Sequence, residues 1–164
     1  MNFCLLYFWF NDKKAKCIIL LSNKSSGSSA CQNLLSSLAS ITHIKNTRHN
    51  ENETLYWVKA ASILDKPQDN MIDSEVPIPA NRAKKELISL LNNNLNDFVE
   101  SDDPRKTIFD GWGKLCEAHG PIFFEKSPHH LYQWSALQLI IECIEHLPHI
   151  DFLLIGLVRN PVDT

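Results

Sequence analysis

The chain has 164 residues, 44% of them hydrophobic, enough for one domain that buries roughly 70% of the surface its unfolded form exposes. Its 16 basic and 19 acidic residues give a net charge of −3, which argues against a nucleic-acid binder that works by general phosphate neutralisation. Five cysteines, Cys4, Cys17, Cys31, Cys116 and Cys143, form no CxxC pair and no zinc-type spacing with histidine, so they read as reduced core thiols of a cytoplasmic protein with no metal site.

The apolar run Phe3 to Phe10 is far shorter than the ~20 residues that span a bilayer, and no lysine or arginine precedes it as in a secretory signal. It reads as an edge strand or an N-terminal extension over residues 1–15, with no transmembrane segment. Cys17 to Leu21 is a short unbroken apolar run of the kind found in a parallel strand covered on both faces. Ser28 to Leu38 carries Ala30, Leu34, Leu35 and Leu38 at helical spacing.

Between that strand and that helix lie Lys24, Ser25, Ser26, Gly27, Ser28 and Ser29. Unpaired N–H groups at a helix N-terminus, with the equivalent of about half a positive charge, favour a phosphate or sulfate, and Gly27 lets the backbone come close. Lys24 and the serine hydroxyls add donors. The alternative is a serine-rich loop that only caps the helix. A triphosphate-binding loop set on Gly27 would need glycine at Ser22 and lysine at Ser28, and both are missing, although Ser29 occupies the hydroxyl position that would hold magnesium.

Ile41 to Asn52 fits a short strand or loop, and Glu53 to Leu64 returns to a helical pattern. Asp65 to Asn81, with Pro67, Pro77 and Pro79, reads as a surface loop long enough to cover a pocket. Ala83 to Val99 has Leu87, Leu91, Leu95 and Phe98 on one helical face, with Lys84, Lys85 and Glu86 expected outward. A further helix runs from Pro104 to His119 and stops at Gly120-Pro121.

Ile122 to Glu125 reads as a strand, followed by a long helix to about Leu147 that Ser127 caps and Pro128 begins. Asp151 to Val158 is nearly all apolar and is expected to be central in its sheet, ending at Arg159. Three strand ends thus carry polar groups, Lys24 to Ser29, Lys126 with Ser127, and Arg159. In an open α/β sheet ligands bind at that edge. Trp57, Trp112 and Trp134 fall in helical patterns and are expected in the core. His43, His49, His119, His146 and His149 show no metal-like spacing and are expected to be structural or solvent-facing.

These residues resemble the sulfotransferase family that uses 3′-phosphoadenosine-5′-phosphosulfate (PAPS). Ser22 to Ser29 is similar to that family's 5′-phosphosulfate loop, Leu157 to Asp163 to its 3′-phosphate motif, and Phe124 to Pro128 to the strand-end Lys-Ser/Thr-Pro segment of its heparan-type and bacterial branches. Asn52 to Trp57 resembles, more loosely, the segment that supplies a catalytic carboxylate. The resemblance implies a three-layer α/β/α domain over residues 16–164 with a central parallel sheet and P-loop-like topology. It assigns Lys24 and Ser25 to Ser29 to the phosphosulfate, Arg159 to the 3′-phosphate, Lys126 to the transferring group and Glu53 to the base.

The implied co-substrate is PAPS, without metal, and the acceptor a hydroxyl or amine of a small molecule or glycan. His129 and His130 are the second choice for the base. The family motif continues to a serine beyond its aspartate, whereas this chain ends at Thr164, so a C-terminally truncated member is expected. The alternatives are a P-loop kinase-like phosphotransferase and a non-catalytic fragment that binds anions or nucleotides.

Overall fold

A computed structural model describes residues 14–45, 47–68 and 76–158. Four strands form one sheet, all parallel: β1 (Ala15–Ser22), β2 (Ile41–Thr42), β3 (Ile122–Lys126) and β4 (Ile150–Leu157), in the order β2-β3-β1-β4. The helices are α1 (Ser28–Ser36), α2 (Tyr56–Ile63), α3 (Ala80–Asn94), α4 (Pro104–Ala118) and α5 (Trp134–His146). This is an α/β fold with helices on both sheet faces.

Alternation along each strand divides the core in two. Cys17, Ile19 and Phe123 face α2 to α5, while Ile18, Leu20 and Phe124 face α1, where Cys31 and Leu35 pack. The larger layer is centred on Tyr56, Trp57 and Trp112, whose ring centroids lie 4.7 to 5.2 Å apart in tilted and edge-on arrangements. Trp57 and Trp112 are fully buried as expected, but Trp134 is 62% exposed at the start of α5. Helical spacing places a residue on a face, and this face of α5 meets solvent. Cys17, Cys116 and Cys143 are buried free thiols and Cys31 is half-buried, while Cys4 lies outside the described residues.

Several boundaries differ from expectation for identifiable reasons. α2 begins at Tyr56 because Glu51, Asn52 and Leu55 adopt left-handed φ angles of 57°, 60° and 49°, so Glu53 sits on a loop. α3 ends at Asn94, where Leu95 turns extended after three asparagines that favour turns over helix. Leu95 and Phe98 still pack on the core from that extended segment. Glu86, expected outward, is buried with its carboxylate 2.8 Å from Arg82 Nε and 3.3 Å from Lys59 Nζ. A carboxylate can enter a core layer when cations accompany it.

The long helix expected after Ser127 is broken. A 3₁₀ segment covers Pro128–Tyr132, Gln133 is extended at φ −119° and ψ 103°, and α5 starts at Trp134. β4, expected to be central, pairs only with β1 among the described residues, and its side chains are mostly half-buried or exposed. An apolar run reports which side chains avoid water and does not encode strand order. Among the described residues no helix is long and apolar enough to cross a membrane. Residues 1–13, 46, 69–75 and 159–164 lie outside the described set, and with them the N-terminal apolar run, the middle of the expected pocket-covering loop and Arg159.

Candidate functional site

β1 lies between β3 and β4, so their carboxyl ends meet at one sheet edge. Leu20 pairs with Lys126 and Ser22 with Leu157. The turn after β1 passes through Ser25 at φ 61° and Gly27 at φ 91° and enters α1 with no side chain capping its N-terminus. The first N–H groups of α1 therefore have neither an intrahelical acceptor nor a side-chain cap. Lys24, Ser25, Gly27, Ser28, Ser29, Glu51, Glu53 and Pro128 line this cleft of about 450 Å³. The Lys24 backbone N–H, 3.4 Å from the Tyr132 hydroxyl, ties the turn to the 3₁₀ segment after β3.

Gly27 is required for its backbone conformation and not for space, because a Cβ there would meet nothing within 4 Å. Gly27→Ala should therefore cost the left-handed penalty of about 1–2 kcal/mol in urea unfolding. Gly27→Asn, which tolerates that region, should lose less. Equal stability of all three proteins would contradict a left-handed turn.

Lys126 ends β3 and, by strand alternation, follows Phe124 onto the α1 side. Its side chain is fully buried, and Nζ donates to Ser29 Oγ, Glu51 Oε2 and Glu53 Oε1, each at 3.2 Å. The Ser29 hydroxyl donates in turn to Glu51 Oε2. A buried ammonium, the first turn of α1 and two carboxylates thus meet at one point. The Glu51 carboxylate lies against the same donors that an anionic ligand would use, and its side chain is 57% exposed, with room to swing into solvent.

Glu53 faces Lys126 through one oxygen and His129 Nδ1, at 3.5 Å, through the other. Burial alone would raise its carboxyl, but His129 and Lys126 outweigh this and hold it below the ordinary value. His129 stays beside the site, whereas His130 turns inward, fully buried, where its Nε2 accepts the Trp57 N–H at 3.3 Å. Burial, followed by the charges of His129 and Lys59, pushes His130 down to about 3, so it is a neutral core group and not a base.

The chain matches no family model, no curated protein and no solved structure.

Among the expected site residues, Ser29, Lys126 and Glu53 are in direct contact, and Lys24, Ser25, Gly27 and Ser28 line the same cleft. Ser26 closes the turn, its hydroxyl donating to the Asn23 carbonyl at 2.7 Å. Arg159 lies outside the described residues; Leu157, two positions earlier, is beside Ser22 at this edge. The sequence reading missed Glu51, which no local pattern separates from a solvated acid. It also passed over Glu125, although a carboxylate within the run Ile122 to Glu125 of a buried strand is a readable signal. Among the described residues no group of three His, Cys, Asp or Glu is arranged to hold a metal ion.

Proposed function

We propose that this chain is a sulfotransferase that moves a sulfuryl group from PAPS to a hydroxyl or amine of a small-molecule or glycan acceptor. The observation that carries the reading is the buried Lys126 ammonium at the first turn of α1, with the Glu53 carboxylate on its other side. Lys24, the open N–H groups of α1 and Ser29 suit the 5′-phosphosulfate, and Arg159 would hold the 3′-phosphate through its planar fork.

In this reading the bond from the acceptor oxygen or nitrogen to sulfur forms as the bond from sulfur to the 5′-phosphate oxygen breaks. The electron pair leaves on that phosphate oxygen, where Lys126 and the turn neutralise it. Glu53 takes the acceptor proton. In the resting site His129 and Lys126 outweigh burial and hold its carboxyl below the ordinary value. A ligand anion that engages Lys126 weakens the ion pair and raises Glu53 toward a useful basicity.

Titration calorimetry with 3′-phosphoadenosine-5′-phosphate, together with transfer of labelled sulfate from PAPS to a panel of acceptors, tests the assignment. Arg159→Ala should weaken that nucleotide much more than an analogue lacking the 3′-phosphate. Equal losses for the two ligands would count against the proposal. Magnesium-dependent ATP binding would favour a kinase-like phosphotransferase, and stabilisation by no nucleotide would favour a non-catalytic protein.

A further inference from the structure

We infer that Glu125 is the positioning residue for Glu53, acting as a buried hub that fastens the Glu51 to Leu55 loop to the end of β3. Alternation sends Glu125 to the sheet face opposite Lys126, toward α2, where it is 2% exposed. Its Oε1 accepts the Thr54 hydroxyl at 2.7 Å and the Ser127 hydroxyl at 2.5 Å, and its Oε2 faces His130 Nδ1 at 3.5 Å.

Each of those three side chains also accepts a backbone N–H from the start of α2. Ser127 Oγ takes Leu55 N at 3.0 Å, Thr54 Oγ1 takes Tyr56 N at 3.2 Å, and His130 Nε2 takes Trp57 N at 3.3 Å. The Trp57 donor leaves the proton of the neutral His130 ring on Nδ1, the nitrogen that faces Glu125. Two hydrogen-bonded relays therefore run from Leu55 and Tyr56 through Ser127 and Thr54 to one carboxyl oxygen, and the His130 ring that takes the Trp57 N–H stands 3.5 Å from the other oxygen. Leu55, at the cap position, has no side-chain acceptor of its own, so these buried donors depend on the relays.

The loop needs such an anchor. Glu51, Asn52 and Leu55 all hold left-handed φ angles, which non-glycine residues keep only where the surroundings over-determine them. Thr54 follows Glu53 directly, with its hydroxyl fixed by Glu125 and its carbonyl accepting Lys59 Nζ at 2.9 Å. The peptide that carries Glu53 is thereby clamped, and its carboxylate is held between Lys126, whose Nζ it shares with Glu51, and His129. The same anchoring assigns Ser127 a role other than a helix cap: its hydroxyl bridges Leu55 N to Glu125.

The inference rests on the reading of Glu53 as the base, and its test is independent of turnover. In the full chain labelled with carbon-13 at glutamate Cδ, the Glu53 signal is identified by its loss in Glu53→Gln and then titrated. The wild type should titrate below the ordinary glutamate value. Glu125→Leu and Thr54→Val, which release the clamp, should raise the Glu53 midpoint by roughly 0.5 to 1 pH unit, within the spread that surroundings impose on carboxylates. Thr54→Ser, which keeps the hydroxyl, should retain the wild-type midpoint.

A folded Thr54→Val protein with an unchanged Glu53 midpoint would overturn the inference, and so would a Thr54→Ser protein that behaves like Thr54→Val. In the transfer assay the releasing variants should lower kcat and leave KM for PAPS unchanged. A wild type that transfers no sulfate, with the titration result intact, would remove the functional reading and leave the positioning role of Glu125 standing.

Discussion

Under the proposed function, Lys126→Ala is expected to lower the rate of sulfuryl transfer by about 10²–10³-fold, the usual loss when one preorganised donor to a developing charge is removed. Binding of 3′-phosphoadenosine-5′-phosphate should weaken about 10- to 150-fold, since a hydrogen bond to a charged group is worth ~1.5–3 kcal/mol. The effect is large because Nζ is fully buried and touches Ser29, Glu51 and Glu53 together. Without it two carboxylates face the anion cradle with no shared cation, and repulsion is added to the lost attraction. Lys126→Met, which keeps most of the side-chain volume, separates charge from packing and should be as inactive as alanine. Calorimetry and a labelled-sulfate assay check both outcomes. A Lys126→Ala protein that folds, binds and transfers like the wild type would remove Lys126 from the site.

The second large effect is on stability against pH. Burial raises the Glu125 carboxyl from its ordinary 4.5 to about 7, with the Ser127 and Thr54 hydrogen bonds opposing that rise. Between those two pH values the folded protein keeps a proton that the unfolded chain has released. Stability therefore falls as pH rises through this window and levels off above it. At ~1.4 kcal/mol per unit, the whole decline amounts to roughly 3 kcal/mol.

Glu53 works in the opposite sense. Its lowered value contributes stability above the ordinary carboxylate range, and that contribution is lost as pH falls through its folded value. The two effects occupy different windows, so urea unfolding from pH 4.5 to 8 reads mainly Glu125. Glu125→Gln, which keeps the acceptor and cannot ionise, should abolish the decline. Parallel curves for variant and wild type would show that Glu125 titrates as an ordinary surface acid.

The parts of the site written in contiguous sequence were legible. A strand that runs into Gly27, and a strand that ends at Lys126 before Ser127-Pro128, are local signals, because backbone conformation and strand alternation are properties of neighbouring residues. The parts that depend on partners far along the chain were not. Ser127 has the residue type and position of a helix cap, yet its hydroxyl is drawn to Leu55 N and Glu125. Glu86 carries the hydrophilic signature of an exposed residue and is buried because Lys59 and Arg82 accompany it. Trp134 has the signature of a core residue and is exposed.

By itself the sequence determined the α/β alternation, a parallel β1 covered on both faces, the glycine turn and the place of a lysine at the end of β3. Those follow from periodicity, from the one residue that adopts positive φ without penalty, and from strand polarity. The tertiary structure alone decided that β1 sits between β3 and β4, that Glu51 joins Glu53 on Lys126, and that Glu125 gathers the start of α2. The physical reason is distance along the chain: Lys126 lies 97 residues from Ser29 and 73 from Glu53, and only the packing of the sheet and its helices can select which of many polar side chains becomes the neighbour of a buried charge.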